Sequence, residues 1–139
     1  MPISTELFAT MTRRLDAHTA PDDVAAEAAR LWLTLFDRFS ALIGPLSVEL
    51  VFARSLALHQ NDFGWLPHVT PDAAAGAFDA FARTLDSRPV EELIAVNRAL
   101  LWTYVTVLSE LIGTPLATKF LHAAFDRDAS GHHPEELAP

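Results

Sequence analysis

The chain contains no cysteine, which excludes a disulfide framework and a thiolate metal site. Lysine is almost as scarce: Lys119 is the only one, and arginine supplies every other basic side chain. No basic run occurs, and the formal net charge is −8. An acidic surface repels phosphate backbones, so nucleic acid is not an expected partner. No stretch of about 18 apolar residues is free of charge, so a membrane is not an expected partner either. The first residues, Met1-Pro2-Ile3-Ser4-Thr5-Glu6, lack the basic start and apolar run of a secretion signal. The lack of cysteine leaves the redox compartment open; a reducing cytoplasm fits and is the expected location.

What the chain does have is apolar bulk. Half of its 139 residues are hydrophobic, which argues against disorder. A chain of this length forms one domain and buries about 70% of its unfolded surface, so it needs no staple. Alanine is abundant and β-branched residues are sparse, which favours helix. The expected fold is all-α: a single helical domain over residues 1–128, with a flexible tail over 129–139.

Two stretches read alike. At an offset of 69, Leu31, Thr34, Ser40, Leu42, Ile43 and Gly44 match Leu100, Thr103, Ser109, Leu111, Ile112 and Gly113. One inserted residue, Thr114, shifts the register, after which Pro45, Leu46 and Ala53 match Pro115, Leu116 and Ala123. The pattern predicts two helix–Gly/Pro corner–helix repeats, over residues 22–60 and 89–127, related by a pseudo-two-fold.

Around those corners the spacing predicts a compact bundle of about six helices. The first covers 4–17, capped by Ser4 or Thr5, with Leu7, Phe8, Met11 and Leu15 near helical period. The second covers 22–43, with Asp22 and Asp23 at its positive N-terminus and Gly44 as its left-handed stop. Pro45 opens the third, 45–60, where a missing N–H costs nothing. The third helix is apolar nearly all round, as expected of a helix in a domain centre or at a subunit interface. Thr70 caps a fourth, 71–86, whose narrow stripe of Ala74, Phe78, Phe81 and Leu85 places it on the surface. The fifth covers 89–112 and the sixth 115–127.

Candidate sites are few. His59 with Asp62 and His122 with Asp126 have spacings that share a helix face. A metal needs three or four converging ligands, so His59 and His122 remain weak metal candidates and no metal or cofactor is expected. His132 and His133 in the tail are adventitious ligands at most. Neither His59 nor His122 is followed by the lysine and glycine of a phosphotransfer helix, and no Glu-x-x-His supports a di-iron bundle. Charges in apolar surroundings must pair or reach solvent, which singles out Glu49 and Arg54 in the third helix and Arg98 in the fifth. With Trp102, and with Trp65 in the aromatic connector 61–68, these are the candidate ligand-binding residues. Val51 and Leu58 are the candidate interface residues. The connector, with Phe63 and Trp65, is expected to fold back on the bundle.

No nucleophile triad, nucleotide loop or metal motif of useful specificity is present, so no catalytic residue is named. Three functional readings follow. The first is a non-enzymatic regulatory or protein-interaction module, self-associating as a homodimer, because six helices have few places to hide so much apolar surface. The second is a sensor domain binding a small apolar ligand in a pocket between the two repeats. The third is an enzyme or metal-binding bundle built on histidine and carboxylate.

Overall fold

The computed structural model describes residues 4–68, 76–86 and 88–130, and the side chains among them up to residue 125. These residues form six helices, α1 (Thr5–Ala17), α2 (Pro21–Ile43), α3 (Pro45–Leu58), α4 (Ala77–Thr84), α5 (Val90–Ile112) and α6 (Thr114–Ser130). No strand occurs among them. The all-α bundle of about six helices is thus the observed architecture.

Local chemistry accounts for the boundaries. Ser4 caps α1, its Oγ accepting from the Leu7 N–H at 3.0 Å, which satisfies one donor left over by the first turn. Pro21 begins α2 and Pro45 begins α3, both at positions whose N–H would be unbonded in any case. α2 and α5 each run 23 residues and each stops at a glycine. Gly44 has φ 92 and ψ 152, and Gly113 has φ 93 and ψ 142. This is more extended than the left-handed helical cap expected from sequence, and it belongs to a region that glycine almost alone occupies. At both corners the glycine N–H bonds back to a serine carbonyl, Ser40 or Ser109, at 2.8 Å. At both, its own carbonyl accepts from the first full turn of the next helix, from Val48 or Ala117. A Cβ on Gly44 would meet nothing within 4 Å, so backbone conformation, not space, demands the glycine.

Several boundaries differ from the sequence reading: α1, α2 and α5 start at Thr5, Pro21 and Val90, each one residue from the expected start. α3 ends at Leu58, with His59 as its cap. α6 starts one residue earlier than Pro115 and continues to Ser130, because nothing in Arg127-Asp128-Ala129 breaks a helix. The described part of α4 is Ala77–Thr84; the expected cap Thr70 and starting Pro71 lie outside the described residues, as does the tail from residue 131.

α2 and α5 are the long central helices and touch each other. Each short helix packs on its own long helix and also on the other one: α3 on α5, α6 on α2. The two corners therefore clasp. α1 lies across α2, α5 and α6, and α4 lies on α3. The shared core holds Trp32, Leu35 and Phe39 of α2, Phe52 and Leu56 of α3, Phe81 of α4, Leu100, Tyr104 and Leu108 of α5, and Leu121 of α6. Trp32, Phe36, Phe52, Phe78, Phe81 and Tyr104 form a mostly edge-to-face cluster, with Trp32 to Phe52 centroids at 5.0 Å and Trp32 to Tyr104 at 5.3 Å. Such pairs contribute about 0.5–1.5 kcal/mol each beyond their buried area.

The polar tips inside this core are satisfied. The Trp32 indole N–H donates to Asn97 Oδ1 at 2.9 Å, and the Asn97 amide donates to the Leu93 carbonyl at 2.7 Å. The Tyr104 hydroxyl donates to the Val48 carbonyl at 3.3 Å. Burial raises the Tyr104 hydroxyl well above the usual phenol range, helped by the charge of Glu49, so it stays a donor.

Candidate functional site

α3 is not buried all round. Val48, Val51, Phe52, Ser55 and Leu56 are buried, while Leu46, Leu50 and Leu58 are exposed. This corrects one expected interface residue. Val51 is 6% exposed and packed in the chain's own core, so it offers no surface to a partner. Leu58, two turns along, is 56% exposed. Seven residues apart, the two share one helix face; what separates them is position along the axis, Leu58 being the last residue of α3.

Beside Leu58 runs a groove between α3 and α5 of about 320 Å³. Its lining includes Arg54, Leu58, Trp102, Thr106, Val107 and Glu110. Leu111, one turn beyond Val107, is 61% exposed, and Leu50, one turn before Arg54, is 40% exposed. Arg54 is therefore not a buried charge, as its apolar neighbours in sequence implied, but an exposed one. Glu110 is exposed too, and neither has an ion-pair partner among the described residues.

His59 reaches across from the end of α3 to Thr103 of the same groove. Its Nε2 lies 2.6 Å from Thr103 Oγ1 and its Nδ1 3.2 Å from Asp62 Oδ2. A hydroxyl, an imidazole and a carboxylate in line is the order of an activated nucleophile. Thr103, however, sits in the middle of α5, where neighbouring N–H groups are spent on the helix, so no backbone oxyanion donors converge on its hydroxyl. What the chain of bonds does is tie the connector to α5.

The rest of the connector folds back as well. Leu66 is buried, and Phe63 and Trp65 pack against the core cluster. Trp65 stacks edge-on with Phe63, and the Arg88 guanidinium sits 4.3 Å from the centroid of its ring, a cation–π contact.

The remaining site residues are scattered. Arg98 is half-exposed and pairs with Asp16 of α1 at 3.0 Å, which explains a charge within the apolar α5 without a pocket. Trp102 stacks edge-to-face on Phe8, centroids 5.0 Å apart. Glu49 lies across α3 from Arg54, in a second groove between α2 and α3. The five expected pocket residues thus do not line one cavity: Arg54 and Trp102 share one groove, Glu49 belongs to another, and Arg98 and Trp65 line neither. His122 is on an exposed face of α6. Among the described residues no group of three or more His, Asp or Glu is placed to hold a metal ion.

As site residues, the sequence singled out neither Thr103 nor Glu110. Both lay within reach: Thr103, Thr106, Val107 and Glu110 stand at i, i+3, i+4 and i+7, one face of α5. It also passed over Glu27, a mostly buried carboxylate on α2 that gathers Arg30 at 2.7 Å, His18 at 3.2 Å and Arg14 at 3.8 Å. Burial works against the Glu27 charge, but the hydrogen bonds from Arg30 and His18 and the charges of Arg30 and Arg14 outweigh it and hold the carboxyl below its ordinary value. Of these partners only Arg30, at i+3, is local; Arg14 and His18 come from α1 and the α1–α2 link, so spacing along α2 did not announce the cluster.

No family model, curated protein or solved structure matches this chain. Function has to be argued from these surfaces alone.

Proposed function

We propose that this domain is a non-enzymatic helical interaction module with a regulatory role, and that its partner is a second copy of itself docked on the α3–α5 face. The observation that carries the reading is the pairing of exposed leucines with two unmatched opposite charges on one surface. Leu50, Leu58 and Leu111 flank a groove that contains Arg54 and Glu110. A two-fold interface is isologous, so each surface must complement itself. Rotating one copy onto the other brings each Arg54 toward the opposite Glu110 while the leucines meet. A patch carrying only one sign of charge would repel its copy.

The experiment is a charge swap read by native mass and sedimentation. The parent is expected at twice the chain mass. Arg54→Glu alone and Glu110→Arg alone should each run as monomers, because each leaves two like charges opposed. Mixing the two variants should restore a dimer containing one of each, since every pair across it is then opposite in sign. A monomeric parent, or variants that dimerise as well alone as mixed, would refute the proposal.

A further inference from the structure

α2 turns one stripe to solvent along its middle. From Val24 to Ala41 its exposed residues are Ala26, Arg30, Leu33, Asp37 and Ala41. Steps of four, three, four and four keep them on one face of the helix. Leu33, at the centre, is 55% exposed, and Leu46 of α3, 62% exposed, stands across a groove from it. None of these residues lines the α3–α5 groove.

The stripe is symmetric in size and inverted in charge. About the midpoint between Leu33 and Thr34, Ala26 mirrors Ala41 and Arg30 mirrors Asp37. An antiparallel copy therefore sets small residue against small and cation against anion. Arg30 and Asp37 are about 10.5 Å apart along the axis, and both ion pairs form in the same register. That register opposes no like charges: Asp22 meets Pro45, Asp23 meets Gly44, Glu27 meets Ser40 and Arg38 meets Ala29. A parallel copy would set Arg30 against Arg30.

Both charges are available for such a contact. Asp37 has no ion-pair partner among the described residues. Arg30 is held at one nitrogen by Glu27, at 2.7 Å, while its side chain stays 59% exposed. A guanidinium has five N–H donors, so Glu27 positions the fork and leaves its outer donors for a second carboxylate.

We infer that this face is a second self-contact, in which two copies pair α2 against α2, antiparallel, about a two-fold at Leu33–Thr34. A surface that complements itself across a two-fold fits a second copy of this chain. The leucines meet at the axis, and the charges fix the register more than the affinity, since exposed ion pairs are individually weak. One central leucine serves here where the α3–α5 face has Leu50, Leu58 and Leu111, so this contact is the weaker and forms at higher concentration. It does not depend on the α3–α5 contact. Where both form, each chain carries two different two-folds, and dimers join into tetramers and longer assemblies.

Sedimentation equilibrium over a rising concentration series tests it. The parent mass is expected to climb beyond the dimer as concentration is raised about a hundredfold. Arg54→Glu, which lacks the α3–α5 contact, should climb from monomer to dimer and stop there. On that background Asp37→Arg and Arg30→Asp should each stay monomeric, and mixing the two should restore the dimer. Asp37 makes no ion pair within the chain, so Asp37→Arg keeps the test decisive should Arg30→Asp, which releases Glu27, fail to fold. Should the α3–α5 face not associate at all, parent and Arg54→Glu would climb alike, and Asp37→Arg would still abolish the climb. An Arg54→Glu chain that stays monomeric at every concentration would overturn the inference. So would an Asp37→Arg chain that associates as readily as its parent, which would leave the stripe to a different partner or to solvent.

Discussion

Trp32 and Trp102 occupy two arms of the molecule that share a backbone plan. Both lie in 23-residue helices that end at a glycine with φ near 92 or 93. Yet Trp32 is 1% exposed at the centre of the core, while Trp102 is partly buried at its edge, against Phe8. The cause is one residue of register. Counted back from the corner glycine, the place of Trp32 is held in the other arm by Leu101, and Trp102 takes the outward place of Leu33. A single step turns a helix by about 100°, enough to move an indole from core to rim. The polar partner follows the indole. Asn97 accepts from Trp32; the place of Asn97 is held in α2 by Ala28, and Leu101, in the place of Trp32, has no side-chain N–H to satisfy. Similar backbones therefore carry different chemistry, and the difference is made by pairs of residues changing together.

Several substitutions bear on this contrast, read as unfolding free energy by chemical denaturation. Trp32→Ala should cost about 3–5 kcal/mol, the range for deleting a buried aromatic. A loss no larger than that of Trp102→Ala would break the comparison. Asn97→Leu should cost about 1–3 kcal/mol, because the indole N–H is left buried without an acceptor; adding Trp32→Leu should recover part of the loss by removing the orphan. Gly44→Ala and Gly113→Ala should each cost about 1–3 kcal/mol, and by similar amounts, since the two corners share their dihedral angles; unequal costs would show that the arms differ in backbone as well as in side chains. Trp102→Ala should cost less than Trp32→Ala, about 1–2 kcal/mol, for its partial burial and its edge contact with Phe8.

The smallest effect concerns pH. The folded state holds the Glu49 carboxyl above its unfolded value, so it binds a proton more tightly than the unfolded chain does. The neutral form then favours folding below the unfolded value of 4.5, and that contribution is lost as pH rises through the folded value. Glu49→Gln should accordingly stabilise the protein at neutral pH and have no such effect in acid. A stability difference between variant and parent that does not grow with pH would refute this account.

The helices and corners were legible in the sequence because their signals are local. Ser4, Pro21, Gly44, Pro45 and Gly113 each act within one turn of the chain. The site was legible only in part, because exposure is decided by neighbours distant in sequence. Val51 and Leu58 look equally apolar, and only the placement of α5 and α4 tells which is covered. Arg98 looked buried among the apolar residues of α5 until Asp16, far away in sequence, came alongside. Arg54 and Glu110 acquire meaning together, and they meet only because α3 packs on α5.

The core also has an optical consequence. Tyr104 is the chain's one tyrosine, and its ring lies 5.3 Å from that of Trp32. At that separation the excited phenol hands its energy to the indole before it can emit. The native protein should therefore show tryptophan light alone, and a tyrosine band should emerge only when the clasp between α2 and α5 opens, giving the fold an unlabelled reporter of its own integrity.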